Sequence, residues 1–206
     1  MPSQRTVFTL NTAVMAAAEA ALGRMGRGQL QRYTSANARL QLDPSAWEVP
    51  GMMPEIAPSP DFDANIDRLF TERSMALQAW GTYGVLWPVV HFQLGISPDL
   101  GRRRVTGVPQ VPSGQHRVAG RNVRLGKGSV SVAAVRGRGA LRTTVSQTRR
   151  WALVIGVVLP PRARVRSVLV DGRRSPYRVV ATARGREVRA AGGGAAGRTS
   201  LVVRVR

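Results

Sequence analysis

The 206-residue sequence contains no cysteine, so disulfide bonds, thiolate metal sites and cysteine nucleophiles are excluded. Histidine is nearly as scarce, and its two residues, His91 and His116, lie in different halves of the chain, which argues against a two-histidine metal site. The sequence also lacks the glycine-rich phosphate loop, the G-x-S-x-G nucleophile motif and the H-E-x-x-H zinc motif. Carboxylates and aromatic side chains are therefore left as candidates for chemistry.

Long apolar runs are also missing, because nothing approaches the roughly 18 uninterrupted apolar residues that a membrane span needs. Arg5 followed by residues 7–22 resembles a short secretory signal. However, Asn11, Thr12 and Glu19 interrupt the apolar segment, and no clean A-x-A-like cleavage site follows it. An amphipathic helix is the favoured interpretation, and the localisation of the protein is left open.

Acidic residues are scarce in only one half of the chain. Residues 1–100 carry 7 Arg and 9 acidic residues, a net charge of −2, whereas residues 101–206 carry 24 basic and 2 acidic residues, a net charge of +22. This split predicts two domains with a boundary near residue 100. A net charge of +20 suits nucleic acid, but Lys127 is the single lysine, and such an arginine bias indicates GC-rich codon usage. Nucleic acid is therefore not the expected partner.

Helical periodicity dominates residues 1–100. The first predicted helix ends at Gly26 and has an Ala-rich apolar face formed by Val7, Leu10, Val14, Ala17, Ala18, Ala21, Leu22 and Met25. A second, polar helix is predicted over residues 28–42, with Leu30, Tyr33, Ala36 or Asn37, and Leu40 on one side. A third begins at Thr71, is kinked or divided at Pro88 and closes at Gly95. Its predicted face comprises Met75, Ala79, Tyr83, Leu86, Val90 and Leu94.

A long irregular segment, residues 43–67, separates the second and third helices. It contains five prolines, which favour a loop, and loops of this length in a compact domain are usually functional or linkers. Its apolar residues, including Trp47, Met52, Met53, Ile56 and Phe62, predict that the loop packs against another part of the protein.

Alternating Val and Arg residues characterise the second half. The predicted strands are 105–108, 121–125, 129–135, 141–146, 152–159, 164–170, 177–181 and 201–205. Asp171-Gly172 is a hairpin signal because both residues tolerate positive φ. The regular spacing predicts an antiparallel β-sandwich whose arginines face outward, as in Arg164-Val165-Arg166. The predicted fold class is α+β, with helices followed by strands.

Glu55 is the most interesting carboxylate, because it stands between Pro54 and an apolar residue within the long loop. Such a setting can tune a carboxyl group for acid or base chemistry. The alternative is a solvent-facing glutamate, or one paired with Arg68 or Arg73.

Trp80, Tyr83 and Trp87 fall on one side of the third helix. Aromatic faces of this kind stack on sugar rings, but the same spacing is common in helix cores. His91 extends this side by one turn and is interpreted as a hydrogen-bonded structural histidine.

The stretch R-S-M-A-L-Q-A-W-G-T-Y-G-V-L-W-P-V-V-H over residues 73–91, with Leu94-Gly95 and P-D-L-G over residues 98–101, resembles the end of a six-hairpin glycosidase. The resemblance is to the bacterial glycogen-debranching or amylo-α-1,6-glucosidase-like proteins, which are related to glucoamylases. It extends through T-L-N-T at residues 9–12, R-Y-T at 32–34, residues 50–60 and V-P-Q-V-P at 108–112, and so covers nearly the whole chain. The helical motifs are its specific part, and the sandwich is generic.

The resemblance implies an (α/α)6 toroid of paired helices, an inverting mechanism with two carboxyl groups on opposite sides of the scissile bond, and no cofactor. The general base of the family lies late in the chain, on a loop before a final barrel helix that bears aromatics. Glu55 matches that position and is the candidate base. Trp80, Tyr83 and Trp47 are the candidate substrate-binding residues, and the implied substrate is an α-glucan or oligosaccharide.

Three predicted helices are too few to close a toroid, and the segment that would hold the catalytic acid is not recognisable. We therefore expect a C-terminal portion of a longer enzyme, with residues 1–100 as the last barrel helices and residues 101–206 as the Arg-rich β-sandwich. This portion would be inactive alone. Two alternatives stay open: a basic sandwich that binds an anionic polymer or nucleic acid, and a protein that binds carbohydrate through Trp80 and Trp87 without hydrolysis.

Overall fold

The structure is a computed structural model that describes residues 6–21, 29–42, 55–58, 75 and 78–206. It divides into two compact units, Met1–Val89 and Val90–Arg206, here called the helical unit and the sandwich unit. The secondary structure is mostly β, with three α-helices in the described part of the chain, which agrees with the predicted α+β class. The toroid stays a prediction.

The helical unit contains a short antiparallel pair of strands and three helices. The strands pair Phe8 with Ile56 and Thr6 with Pro58. In chain order, the elements are β1 (Thr6–Phe8), α1 (Thr9–Ala21), α2 (Gln29–Leu42), β2 (Ile56–Pro58) and α3 (Ala79–Trp87). The strand β1 leads directly into α1, so the strand pair lies at the N-terminal end of that helix.

The buried face of α1 differs from the predicted face. The helix buries Thr9, Ala13, Ala16, Glu19 and Ala20, whereas Val14 is 52% exposed. The prediction placed Val14, Ala17, Ala18 and Ala21 on an Ala-rich core face, whereas Ala13, Ala16 and Ala20 are the alanines that are fully buried. Small residues form the contact, because they allow helix axes to approach closely. Gly26 and the last predicted face residues lie outside the described residues.

The third helix is shorter than predicted and turns a different face inward. It begins at Ala79 after an extended Gln78, so Met75 is not helical and is 62% exposed. The buried positions are Gly81 and Gly84, while the predicted face residues Tyr83 and Leu86 are exposed. Thr71 lies outside the described residues. At Pro88 the α-helix gives way to a π-helical turn, Pro88–Gln93, which agrees with the predicted interruption.

The sandwich unit consists of two sheets. The six-stranded sheet has the order β10-β9-β13-β7-β6-β5, and the five-stranded sheet has the order β11-β12-β8-β4-β3. The strands are β3 (Ile96–Asp99), β4 (Arg104–Gly107), β5 (Arg117–Leu125), β6 (Gly128–Gly137), β7 (Ala140–Gln147), β8 (Ala152–Val158), β9 (Val165–Val170), β10 (Arg173–Arg174), β11 (Tyr177–Thr182), β12 (Gly185–Ala191) and β13 (Gly197–Val205). A short 3₁₀ turn, Leu100–Arg102, joins β3 to β4.

Facing side chains of the two sheets form the core of this unit. The sheets approach so closely that a Cβ atom on Gly107 would lie 2.9 Å from Val145 Cγ2 of the opposite sheet. Across the same interface, the Thr143 hydroxyl donates a hydrogen bond of 2.9 Å to the Gly156 carbonyl. The fully buried side chains are mainly Val, Ile and Leu, such as Ile155 and Leu201. Burial of these branched residues is the main stabilising contribution to the unit.

All eight predicted strands are present, although β5 and β13 each begin four residues earlier than predicted, and the Asp171-Gly172 hairpin is confirmed. Both of its residues have positive φ, 48° and 80°. Arg164 and Arg166 are exposed as predicted. The sheets are antiparallel except for β4 and β8, which run parallel. Three strands of this unit were not predicted, namely β3, β10 and β12, and neither were β1 and β2 of the helical unit.

Candidate functional site

The main chain of Glu55 is held from both sides. Its N–H donates a hydrogen bond of 3.0 Å to the Met75 carbonyl, and its own carbonyl accepts one of 3.2 Å from the Thr9 N–H. The Thr9 hydroxyl donates a further, longer bond of 3.4 Å to the same carbonyl. Thr9 is the first residue of α1, and Met75 lies four residues before α3. Glu55 is therefore fixed where the chain enters both helices.

The helices α1 and α3 contact each other through small residues. Ala13 lies four residues into α1, and Gly84 lies five residues into α3. A Cβ atom on Gly84 would lie 2.7 Å from Ala13 Cβ, so these residues face each other directly. The contact shows that α1 and α3 approach each other closely through small residues.

Glu55 as a residue is half-buried. Within the part of the chain that the structure describes, no hydrogen bond or ion pair engages its carboxylate. Arg68 and Arg73, the partners considered from the sequence, lie outside the described residues. A carboxylate that no described residue engages, next to an anchored main chain, can accept a proton from a water molecule or another hydroxyl group.

The aromatic residues of α3 lie at the surface of the unit. Trp80, Tyr83 and Trp87 are 36%, 38% and 41% exposed, so the interpretation of this row as helix core is wrong. Tyr83 and Trp87 stack with ring centroids 5.3 Å apart and an angle of 28° between their planes. Their exposure follows from Gly81 and Gly84, which form the packing side of the helix. An exposed aromatic row is suited to stacking on a ligand with an apolar face.

Asn37 was considered only as a face residue of α2, but it is buried at the contact of all three helices. Its Nδ2 donates a hydrogen bond of 3.1 Å to the Thr9 carbonyl, and a Cβ atom on Gly84 would lie 2.6 Å from the same Nδ2. Asn37 thereby anchors Thr9, which in turn donates hydrogen bonds to the Glu55 carbonyl. The Oδ1 atom of Asn37 is buried and has no hydrogen-bond partner among the residues that the structure describes. Nothing in helical periodicity distinguishes such an asparagine from a solvent-facing one.

Glu187 is the second residue that sequence reasoning missed. It is 1% exposed, and its Oε1 accepts hydrogen bonds from Arg184 Nε at 3.0 Å and Nη2 at 2.6 Å, while its Oε2 accepts from Arg189 Nε at 2.9 Å. Arg184 also donates through Nη1 to the carbonyls of Phe92 and Val108. The network joins four segments of the sandwich unit. Its groups are mutually satisfied, which indicates a structural role.

The structure says less about the remaining residues that the sequence analysis singled out. Trp47 lies outside the described residues, and His91 is half-buried in the π-helical turn. Among the described residues, no group of His, Asp or Glu side chains is arranged to hold a metal ion. No helix in the same part of the chain is long and apolar enough to cross a membrane.

These features define a two-part protein with a small helical unit that carries a carboxylate and exposed aromatics, and a β-sandwich. No protein-family model and no curated protein matches the chain. Among solved structures, the chain is similar to an α-L-rhamnosidase from Dictyoglumus thermophilum, at 10% identity and a TM-score of 0.44. It is also similar to the Streptomyces avermitilis α-L-rhamnosidase complexed with L-rhamnose, at 19% identity and a TM-score of 0.40.

The two similarities cover 69% and 71% of this chain but only 15% and 13% of the respective rhamnosidases. The chain thus spans a small part of the length of either protein. Both neighbours are glycoside hydrolases, and neither is a glycogen-debranching enzyme. At these identities and TM-scores, the similarity assigns no activity to this chain.

Proposed function

We propose that this chain is the C-terminal portion of an inverting glycoside hydrolase that acts on α-glucosidic linkages of glycogen-like or starch-like glucans. The observation that carries the proposal is the placement of Glu55. Its main chain is fixed between α1 and the segment leading into α3, and its carboxylate has no partner among the described residues. The helix that follows presents exposed aromatic side chains.

In the proposed mechanism, Glu55 acts as the general base. It would accept a proton from the water molecule that attacks the anomeric carbon, while a carboxylic acid on the other side of the sugar protonates the leaving oxygen. Trp80 and Tyr83, with Trp47, would bind the apolar faces of the sugar rings. We assign the acid to no residue of this chain, so the chain by itself is expected to bind glucan without cleaving it.

Sugar binding can be tested by titrating the full chain with maltoheptaose and following tryptophan fluorescence. The double variant Trp80→Ala/Tyr83→Ala should weaken binding about tenfold, which corresponds to about 1.4 kcal/mol. Leu86→Ala is the matched control, because Leu86 is also exposed on α3 but offers no ring, and it should change the affinity less than about twofold. Equal losses in the two variants would contradict a role for the aromatics.

Hydrolysis is tested by incubating the same chain with maltoheptaose and measuring released glucose. We expect no release, because an inverting reaction needs both carboxyl groups. Sustained release would show that the acid is present in this chain, and Glu55→Gln must then abolish it if Glu55 is the base. A parallel titration with L-rhamnose tests the substrate class: tighter binding of L-rhamnose than of maltoheptaose would reject the glucan assignment.

The exposed aromatic row also supports a second candidate, a protein that binds carbohydrate without hydrolysis. Both candidates predict that Glu55→Gln leaves maltoheptaose binding unchanged. They differ in a restored full-length enzyme, where Glu55→Gln abolishes turnover only if Glu55 is the base.

A further inference from the structure

The sandwich unit contains a basic pocket that the proposed function does not use. It lies between the Leu100–Arg102 turn, the β5–β6 hairpin and the β7–β8 connection, and its volume is about 550 Å³. This volume falls within the range of about 300–1,000 Å³ that is typical of small-molecule sites. Four cationic side chains line it, and no acidic residue does: Arg103, Lys127, Arg149 and Arg150.

The main chain around the basic pocket is held in place. Arg149 Nε donates a hydrogen bond of 3.2 Å to the Lys127 carbonyl, and Ala152 N–H donates one of 2.8 Å to the Arg103 carbonyl. Ser129 N–H donates one of 2.8 Å to the Thr148 hydroxyl. These bonds join the three chain segments that supply the four cations, so the charges are brought together by the fold.

The floor of the pocket is closely packed. A Cβ atom on Gly128 would lie 2.6 Å from both Arg149 Cγ and Trp151 Cη2, so only glycine fits beneath these side chains. Trp151 itself is 9% exposed. The stem of Arg149 is therefore held against a fixed surface, which reduces the entropy lost when its guanidinium binds a ligand.

The charges of the pocket are not neutralised by the protein. Within the described part of the chain, the side chains of Arg103, Lys127 and Arg150 take part in no hydrogen bond or ion pair. Converging like charges raise the local potential and favour an anion. The planar, forked guanidinium groups match the oxygens of a phosphate or sulfate group, to which they can donate paired hydrogen bonds.

We propose that the basic pocket binds a tetrahedral oxyanion, the phosphate or sulfate group of a small ligand. Arg166 on β9 and Arg178 on β11 are exposed, as the four pocket cations are, but they lie outside the pocket. They therefore serve as controls for charge alone. The proposal concerns the sandwich unit and does not depend on glycoside hydrolysis.

The test is calorimetric titration of the full chain with inorganic phosphate and, separately, with sulfate at low ionic strength. Saturable binding of at least one anion is expected. The double variant Lys127→Gln/Arg150→Gln should weaken it at least about tenfold, because two charge-assisted contacts are lost. The control Arg166→Gln/Arg178→Gln removes the same net charge and should weaken binding less than about twofold.

A clear preference for phosphate or for sulfate would identify which ester the ligand carries. The absence of binding by both anions, or equal weakening in the two double variants, would overturn the proposal. A third titration uses a DNA duplex. If the duplex binds more tightly than either anion and is insensitive to Lys127→Gln/Arg150→Gln, the arginine-rich surface binds nucleic acid and the pocket assignment is wrong.

Discussion

The two units of this protein bury opposite kinds of residue. The sandwich unit places large branched side chains such as Ile155 and Leu201 inside and arginines outside. The helical unit places Ala13, Ala16 and Gly84 at its helix contacts and leaves Val14 and Trp80 exposed. Apolar burial stabilises in proportion to area. The comparison therefore shows that the sandwich unit has its own core, while the helical unit holds its helices together through close approach of small residues.

The largest effect is expected at the buried charge network of the sandwich unit. Comparing it with an exposed ion pair contrasts the interior of this unit with its surface. Glu187→Gln removes the negative charge that both Arg184 and Arg189 contact, and should lower the free energy of unfolding by about 3–5 kcal/mol. Asp99→Asn is the matched control, because its pair with Arg102 is exposed, and should cost at most about 1 kcal/mol. Urea denaturation followed by circular dichroism measures both. Similar losses would mean that burial does not set the strength of these pairs.

A second test compares apolar side chains in the two units. Ile155→Ala should lower the free energy of unfolding of the sandwich unit by about 2–5 kcal/mol, because it leaves a cavity at a fully buried position. Val14→Ala in α1 should change the stability of the helical unit by less than about 0.5 kcal/mol, because Val14 is half exposed. Thermal melting of each variant provides the measurement. A large loss in Val14→Ala would show that this face is covered in solution.

The smallest effect is expected from a substitution at the close contact between α1 and α3. Gly84→Ala gains helix propensity, but its new Cβ would lie within 2.7 Å of both Asn37 Nδ2 and Ala13 Cβ. Overpacking should outweigh the gain and destabilise the helical unit by about 1–2 kcal/mol. Gly101→Ala is the control, because its nearest neighbouring atom is 4.0 Å away, and it should be close to neutral. A more stable Gly84→Ala variant would refute the small-residue packing of α1 on α3.

Sequence reasoning located the strands better than the helix faces. The strands between 105 and 205 alternate between Val or Leu and polar residues, and this period fixes which side chains point inward. Strand β12 was missed because Arg186, Glu187 and Arg189 interrupt its apolar alternation, and a buried glutamate is expected only with partners such as Arg184. Those partners come from the preceding turn and a neighbouring position on the same strand, and no local sequence pattern predicts that they pair with Glu187.

The same limit applies to the candidate site. The position of Glu55 between proline and an apolar residue marked it as unusual, and the row of aromatics was visible as a helical repeat. The hydrogen bonds that tie Glu55 to Thr9 and Met75, and the buried contact of Asn37, join residues 20 to 46 positions apart. Their existence depends on how three helices approach each other, which sequence spacing does not encode.

The sequence by itself determined the α+β class, the positions of eight strands, the outward arginines and the separation of charge between the two halves, because each follows from local period or composition. Tertiary structure decided which face of α1 and α3 is buried, because alanine and glycine are small enough to let the helices pack closely, whatever their hydrophobicity. It also decided that Arg103, Lys127, Arg149 and Arg150 converge on one pocket, since three separate turns must meet to bring them together.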